Sequence, residues 1–191
     1  MTRVIVRGVQ GVSTREHTQA AIAKAVPSAE WVWDDKTKND RGALGTFLWG
    51  LELAGADAAV FMEDDAIPCA GFLSKMEAII SERPGDTIQF FSNRKKDATH
   101  GSRYEQYFSY NICYYLPAME SSHLLKFYPV WATHEKAKPD SGCDLMINEF
   151  FRVRRLKHWI HVPSLVQHDS SPSLIDPRRS SKRFAAVFDG A

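Results

Sequence analysis

The stretch 58-AAVFMEDDAIP-68 runs five apolar residues straight into three consecutive carboxylates, Glu63, Asp64 and Asp65. An apolar run with no polar alternation is the pattern of a strand covered on both faces. Three like charges abutting such a strand raise one another's pKa unless a cation answers them. The stretch therefore sets two expectations together: a strand buried by helices on either side, and a charged site at its carboxyl end.

Working outward, the preceding chain supplies the rest of a parallel sheet. The segment 3-RVIVRGV-9 reads as a β-branched strand running into the glycine-containing loop 7-RGVQGVST-14. Thr14 is placed to cap a helix over 15-REHTQAAIAKAV-26, with Pro27 just past its end. A second strand, 30-EWVWDD-35, ends in Asp34 and Asp35, and the polar loop 36-KTKNDRGAL-44 leads to a helix, 46-TFLWGLELAG-55, stopped by Gly55. The order β-α-β-α-β predicts a mostly parallel, Rossmann-like sheet flanked by helices. Ligands in such sheets bind beyond the carboxyl ends of the strands. The acids after two of these strands and the glycine-containing loop after the other thus point to one crevice.

Downstream, the pattern predicts a helix over 71-GFLSKMEAIISERPG-85, a strand at 87-TIQFFS-92 and a basic loop, 93-NRKKDATHGSRY-104. Strand, turn and helix follow within 109-SYNICYYLPAMESSHLLKFYPVW-131, then a helix over 142-GCDLMINEFFRVRRL-156 and a strand running into a loop at 158-HWIHVPSLVQHDSS-171. Residues 172–191 form a basic tail with no pattern of its own. One domain is expected over residues 1–171, with residues 1–92 as its ligand-binding half and 93–171 as its second half.

Bulk properties bound the function class. At 191 residues, 44% hydrophobic and 25% charged, the chain can bury a sizeable core. A net charge of +1 gives no global argument for nucleic acid or membrane. The three cysteines, Cys69, Cys113 and Cys143, have neither disulfide-framework nor zinc spacing, which fits a reducing compartment. No signal-peptide apolar region or membrane-spanning run is present in the sequence, and a cytoplasmic protein is expected.

Three groups carry candidate chemistry. The carboxylate triplet would suit a hard divalent cation, Mg²⁺ or Mn²⁺; the plainer reading is an acidic turn answered by nearby Lys or Arg. The run 163-PSLVQH-168 delivers His168 to a loop, either as an ordinary histidine or as a further ligand suited to Mn²⁺. Asp140 and Asp144 are spaced to share a helix face in 139-PDSGCDLMINEFF-151. Ser141 with Asp144 also matches a capping box, so Asp144 is either a stabilising cap or an oriented general base.

The order and spacing of four segments resemble the nucleotide-sugar glycosyltransferases of the GT-A fold, in particular small enzymes of the lipopolysaccharide and phage types. These are 41-RGALGTFLWGLELAGADAAVFMEDDAIP-68, 109-SYNICYYLPAMESSHLL-125, 140-DSGCDLMINEF-150 and 163-PSLVQHDSS-171. In the first, Glu63-Asp64-Asp65 occupies the place of a DxD motif, with Glu where the family has Asp. The resemblance implies that Asp65 ligates the metal with His168 as the distant ligand, and that Glu63 or Asp64 holds the metal or the ribose. It implies base or ribose contacts from Asp34 or Asp35, nucleobase packing by Arg7, Gly8 and Val9, and a diphosphate or sugar contact from Arg41. Asp144, with Asp140 as second choice, becomes the general base of an inverting transfer. A nucleoside diphosphate sugar, UDP-linked by default, is the implied donor. A saccharide or a hydroxylated base in DNA is the acceptor, the latter drawing on Arg94, Lys95, Lys96 and Arg103. The rival classes are a metal-dependent phosphoesterase or nucleotidyltransferase and a non-catalytic binding module.

Overall fold

A computed structural model describes residues 2–34, 42–108, 111–134, 137, 143–172, 174 and 183–190. The first half alternates as the pattern requires: β1 (Arg3–Val9), α1 (Glu16–Ala25), β2 (Glu30–Asp34), α2 (Gly42–Ala54), β3 (Ala59–Glu63), β4 (Ala66–Pro68) and α3 (Phe72–Glu82). The second half adds β5 (Ile88–Gln89), α4 (Lys95–His100), β6 (Arg103–Glu105), β7 (Cys113–Leu116), α5 (Ala118–Trp131), α6 (Cys143–Arg154), β8 (His158–Ile160) and β9 (Val166–His168).

Among the described residues, seven strands form one sheet in the order β2-β1-β3-β7-β5-β8-β6. Strands β2, β1, β3, β5 and β8 share one direction, and β7 and β6 run against them. The architecture is a mixed α/β, Rossmann-like sheet with helices on both faces. Residues of both halves of the chain are hydrogen-bonded into it, because β7 pairs with β3 on one side and β5 on the other.

Strand alternation explains the two cores. Along β1, Val4 and Val6 face Ile22 of α1 and Phe72, Met76 and Ile80 of α3, whereas Ile5 faces Phe47 and Leu51 of α2. In β3, Val60 and Met62 join the first cluster and Phe61 joins the second, with α5 and α6. All three are fully buried, which is why the run 58–62 shows no alternation. Phe61 stacks with Tyr114 and meets Phe47 edge-on, binding β3, β7 and α2 together.

Several local expectations are corrected. Thr14 does not cap the first helix: it lies in a 3-10 turn (Ser13–Arg15), and no side-chain cap precedes α1. The loop 93–104 contains α4 and β6, held by buried Asp97, which pairs with Arg94 and Arg103 and receives the Ser92 hydroxyl. The strand and loop expected over 158–171 contain two strands, β8 and β9, with a cis bond at Val162–Pro163 between them. Only β8 joins the main sheet; β9 pairs antiparallel with β4. Part of the basic tail is docked: Ser164 N–H donates to Val187 O at 2.8 Å, Ala186 N–H to Ser92 O at 2.9 Å, and Lys75 meets Asp189 at 2.7 Å. Gly55, with φ 61°, ends α2 as expected.

His158 is buried on β8 between Phe108 and Phe151, with Nε2 placed 3.0 Å from Gln89 Oε1 to donate to it. Burial, with Arg94 nearby, pushes its pKa down to about 3. Below about pH 6.5 the unfolded chain takes up a proton that the folded chain refuses, so stability is full above that pH and falls toward pH 3. Urea melts should lose about 2–3 kcal/mol between pH 6 and pH 4 from this group. His158→Gln, which cannot titrate, should flatten that part of the curve; parallel curves for the two proteins would exclude the assignment.

Candidate active site at the carboxyl end of the sheet

The carboxyl ends of β1, β2 and β3 lie side by side, with Val9 opposite Asp34 and Arg7 opposite Glu63. The three acids at the end of β3 are sent to three different partners. Glu63 closes the strand and accepts from Arg7 Nη2 at 2.8 Å. Asp64 turns toward α1, where its Oδ2 accepts from Val9 N–H at 3.0 Å and from Gln19 Nε2 at 3.1 Å. Asp65 lies against β9, with Oδ2 3.4 Å from His168 Nε2 and 3.3 Å from Arg15 Nη1.

The close approach of Asp64 explains Gly8. A Cβ at this position would sit 2.8 Å from the Trp33 ring and 3.1 Å from Asp64. Glycine lets β1 pass under both, so Gly8 serves packing around Asp64. Arg7, expected beside a nucleobase, is instead turned inward and is 5% exposed. Its Nη1 donates to Cys143 Sγ at 3.2 Å and Ala43 O at 3.2 Å, and its guanidinium lies over the Phe47 ring.

This pairing brings α6 to the strand end. Cys143 opens α6, and Asp144 in its first turn acts electrostatically on both Arg7 and Glu63. Burial pushes the Glu63 carboxyl up to about 8; Arg7 opposes the shift while Asp65, Asp144 and Asp64 add to it. Burial likewise pushes the Cys143 thiol up to about 12, so it stays protonated and is no nucleophile at neutral pH. Asp64 is raised by burial against the Val9 hydrogen bond. Asp65 goes the other way: burial would raise it, but His168 and then Arg15 hold it below the ordinary carboxylate value.

Five further groups at this end carry no mark in the sequence. Arg15 is 2% exposed and lies between Asp65 and Asp169, with Nη1 4.0 Å from Asp169 Oδ2. Asp169 accepts from Ser171 N–H and contacts His17 Nε2 at 3.1 Å. Gln19 supports Asp64, and Arg183, carried by the docked tail segment, adds to the positive potential at Asp65. No spacing rule ties these positions to the triplet; Arg15 and His17 read simply as the polar start of a helix.

Of the other expected site residues, Asp34 is buried at the end of β2. Asp35, Arg41 and Asp140 lie outside the described residues. Arg94, Lys96 and Arg103 are at the far edge of the sheet, paired with Asp97 and Glu105; Lys95 is exposed there.

The donors partly suit a divalent cation. Among the described residues, no three His, Cys, Asp or Glu side chains converge as a metal site. Two do approach: Asp65 Oδ2 and His168 Nε2 lie 3.4 Å apart and would be the protein groups that hold a cation. Asp65 Oδ1 is also buried without a hydrogen bond. Two protein ligands suffice where phosphate oxygens and water complete the shell, the usual way Mg²⁺ is held.

No family model and no curated protein matches this chain. A solved structure described as "Crystal Structure of A197 from STIV" matches with a TM-score of 0.51 and 15% identity, over 98% of this chain and 95% of that one. At that identity the likeness concerns the fold, and it supports the α/β, Rossmann-like architecture over nearly the whole chain. No helix among the described residues is long and apolar enough to cross a membrane.

The Arg7–Glu63 contact predicts a correctable loss of stability. Arg7→Met removes the cation that opposes the raised pKa of half-buried Glu63 and should cost about 1–3 kcal/mol. Adding Glu63→Gln should recover most of it. A double mutant as unstable as the sum of the single variants would show that the pair is not coupled.

Proposed function

We propose that the chain is a glycosyltransferase that uses a nucleoside diphosphate sugar, with Mn²⁺ or Mg²⁺ held at Asp65 and His168 and with Asp144 as general base. The observation that carries this reading is the pairing of β4 with β9. It sets Ala66 opposite His168 and so brings an acid from the end of β3 to a histidine from far along the chain. A buried carboxylate held ionised beside an imidazole, at the carboxyl end of a Rossmann-like sheet, suits a metal that carries a diphosphate.

The cation's chemistry would be to stabilise negative charge on the departing diphosphate. The chain's own groups divide the remaining work. Asp65, kept below the ordinary carboxylate pKa, supplies an anionic oxygen across the neutral range. Glu63, tied to Arg7, orients that cluster without serving as a ligand. Asp34 faces the ribose or base. Asp144 takes the acceptor hydroxyl proton while the acceptor oxygen bonds to the anomeric carbon and the carbon–oxygen bond to the diphosphate breaks, inverting the centre. The internal ion pairs of Arg94, Lys96 and Arg103 favour a saccharide hydroxyl over duplex DNA as acceptor. The cytoplasm, where sugar nucleotides and Mg²⁺ are at hand, is the proposed location.

A thermal-shift screen of nucleoside diphosphate sugars, with and without Mn²⁺, tests the reading directly. A donor present at 100 times its Kd stabilises by about 2.7 kcal/mol, several degrees for a chain of this size. Asp65→Ala should abolish the Mn²⁺-dependent part of that shift. Asp144→Asn should keep the shift and lower transfer by about 10²–10⁴-fold. If no donor raised the melting temperature with Mn²⁺, the donor site would be abandoned; full turnover by Asp144→Asn would remove Asp144 from its role.

A further inference from the structure

We propose that the Arg15 guanidinium is the resting cation of the Asp65–His168 site, and that a divalent cation reaches Asp65 only by displacing it. The inference rests on the metal reading above. It concerns a residue to which neither the sequence pattern nor the proposed reaction assigns a part.

Arg15 closes the 3-10 turn ahead of α1, and its side chain is driven inward to 2% exposure. There its Nη1 is 3.3 Å from Asp65 Oδ2, the oxygen that also faces His168, and 4.0 Å from Asp169 Oδ2. One hydrogen bond anchors it, from Nη2 to Pro172 O at 3.2 Å. Its Nε and Nη1 are buried with no hydrogen-bond partner, as is Asp65 Oδ1. A buried guanidinium with two unsatisfied nitrogens is a poor resting place unless the charge it answers requires it. Here the charges are Asp65 and Asp169, and Arg15 also acts on Asp64.

A guanidinium and a divalent ion on the same carboxylate oxygen repel strongly in a site this dry. Metal loading is therefore an exchange of one cation for another. The freed guanidinium, rich in unsatisfied N–H groups, is suited to a phosphate oxygen of the ligand that brings the metal. The bare chain then binds a divalent cation weakly, because the site already holds its positive charge.

Titrating Mn²⁺ into the protein, with free ion followed by its paramagnetic resonance signal, tests the exchange without any activity assay. Arg15→Met and Arg15→Gln should bind Mn²⁺ at least about tenfold more tightly than wild type. Arg15→Lys, which keeps the charge, should stay within about threefold of wild type. Asp65→Asn added to Arg15→Met should remove the gain. Equal affinity in wild type and the neutral variants would overturn the role of Arg15 while leaving the metal site standing. A gain that survived Asp65→Asn would place the ion elsewhere and also overturn it. Absence of binding in every variant would overturn the metal reading with it. Should the neutral variants fail to fold, the wild-type chain decides. Titration with Mg²⁺ should shift the Arg15 Nε–H resonance in step with binding, and a resonance that stayed fixed as the site filled would exclude displacement.

Discussion

Three carboxylates in succession at the end of a buried strand must be kept from one another, and much of this end of the molecule follows from how that is done. Glu63 is the last residue of β3 and goes to Arg7 across the strand pair. The chain then turns, so that Asp64 faces α1 and Asp65 faces β9. Each acid thereby gains a different counter-group, and repulsion within the triplet becomes attraction between elements: β3 to β1, the turn to α1, and β4 to β9. The two arginines that do most of this, Arg7 and Arg15, are almost wholly buried, and each meets an acid there.

The arrangement also sorts the acids by chemistry. Asp65 is held ionised by His168 and Arg15, whereas burial raises Glu63 and Asp64. One strand end thus sets an acid held below the ordinary carboxylate value beside two raised above it. Asp144 reaches the same locality from the opposite face of the sheet, through the Arg7–Cys143 contact at the start of α6.

The parts of the fold legible in the sequence were those governed by local patterning. The unalternating run 58–62, the β-branched run at 3–9 and the Gly55 stop each report how a segment buries its own side chains or ends its own helix. What escaped was governed by distant partners. The segment 93–104 looked like a mobile basic loop because Asp97, its one buried acid, is a single residue among many charges; only in the fold does it gather Arg94 and Arg103. The tail at 183–190 shows no periodicity because much of its docking is by backbone hydrogen bonds to Ser92 and Ser164, which leave no side-chain signature.

For the candidate site the division is equally physical. The sequence alone determined that acids stand at strand ends, since an apolar run followed by Glu63, Asp64 and Asp65 admits little else, and it marked His168 as the end of a β-like run. Which charge answers which acid was decided only by the tertiary structure. The pairing of β4 with β9 sets His168 against Asp65, and the turn before α1 drives Arg15 between Asp65 and Asp169. Charge pairing acts through space at a few ångströms, whereas sequence patterning reports only the burial of each residue's own neighbourhood. An arginine destined to be 2% exposed therefore looks, in the sequence, like any other at the start of a helix.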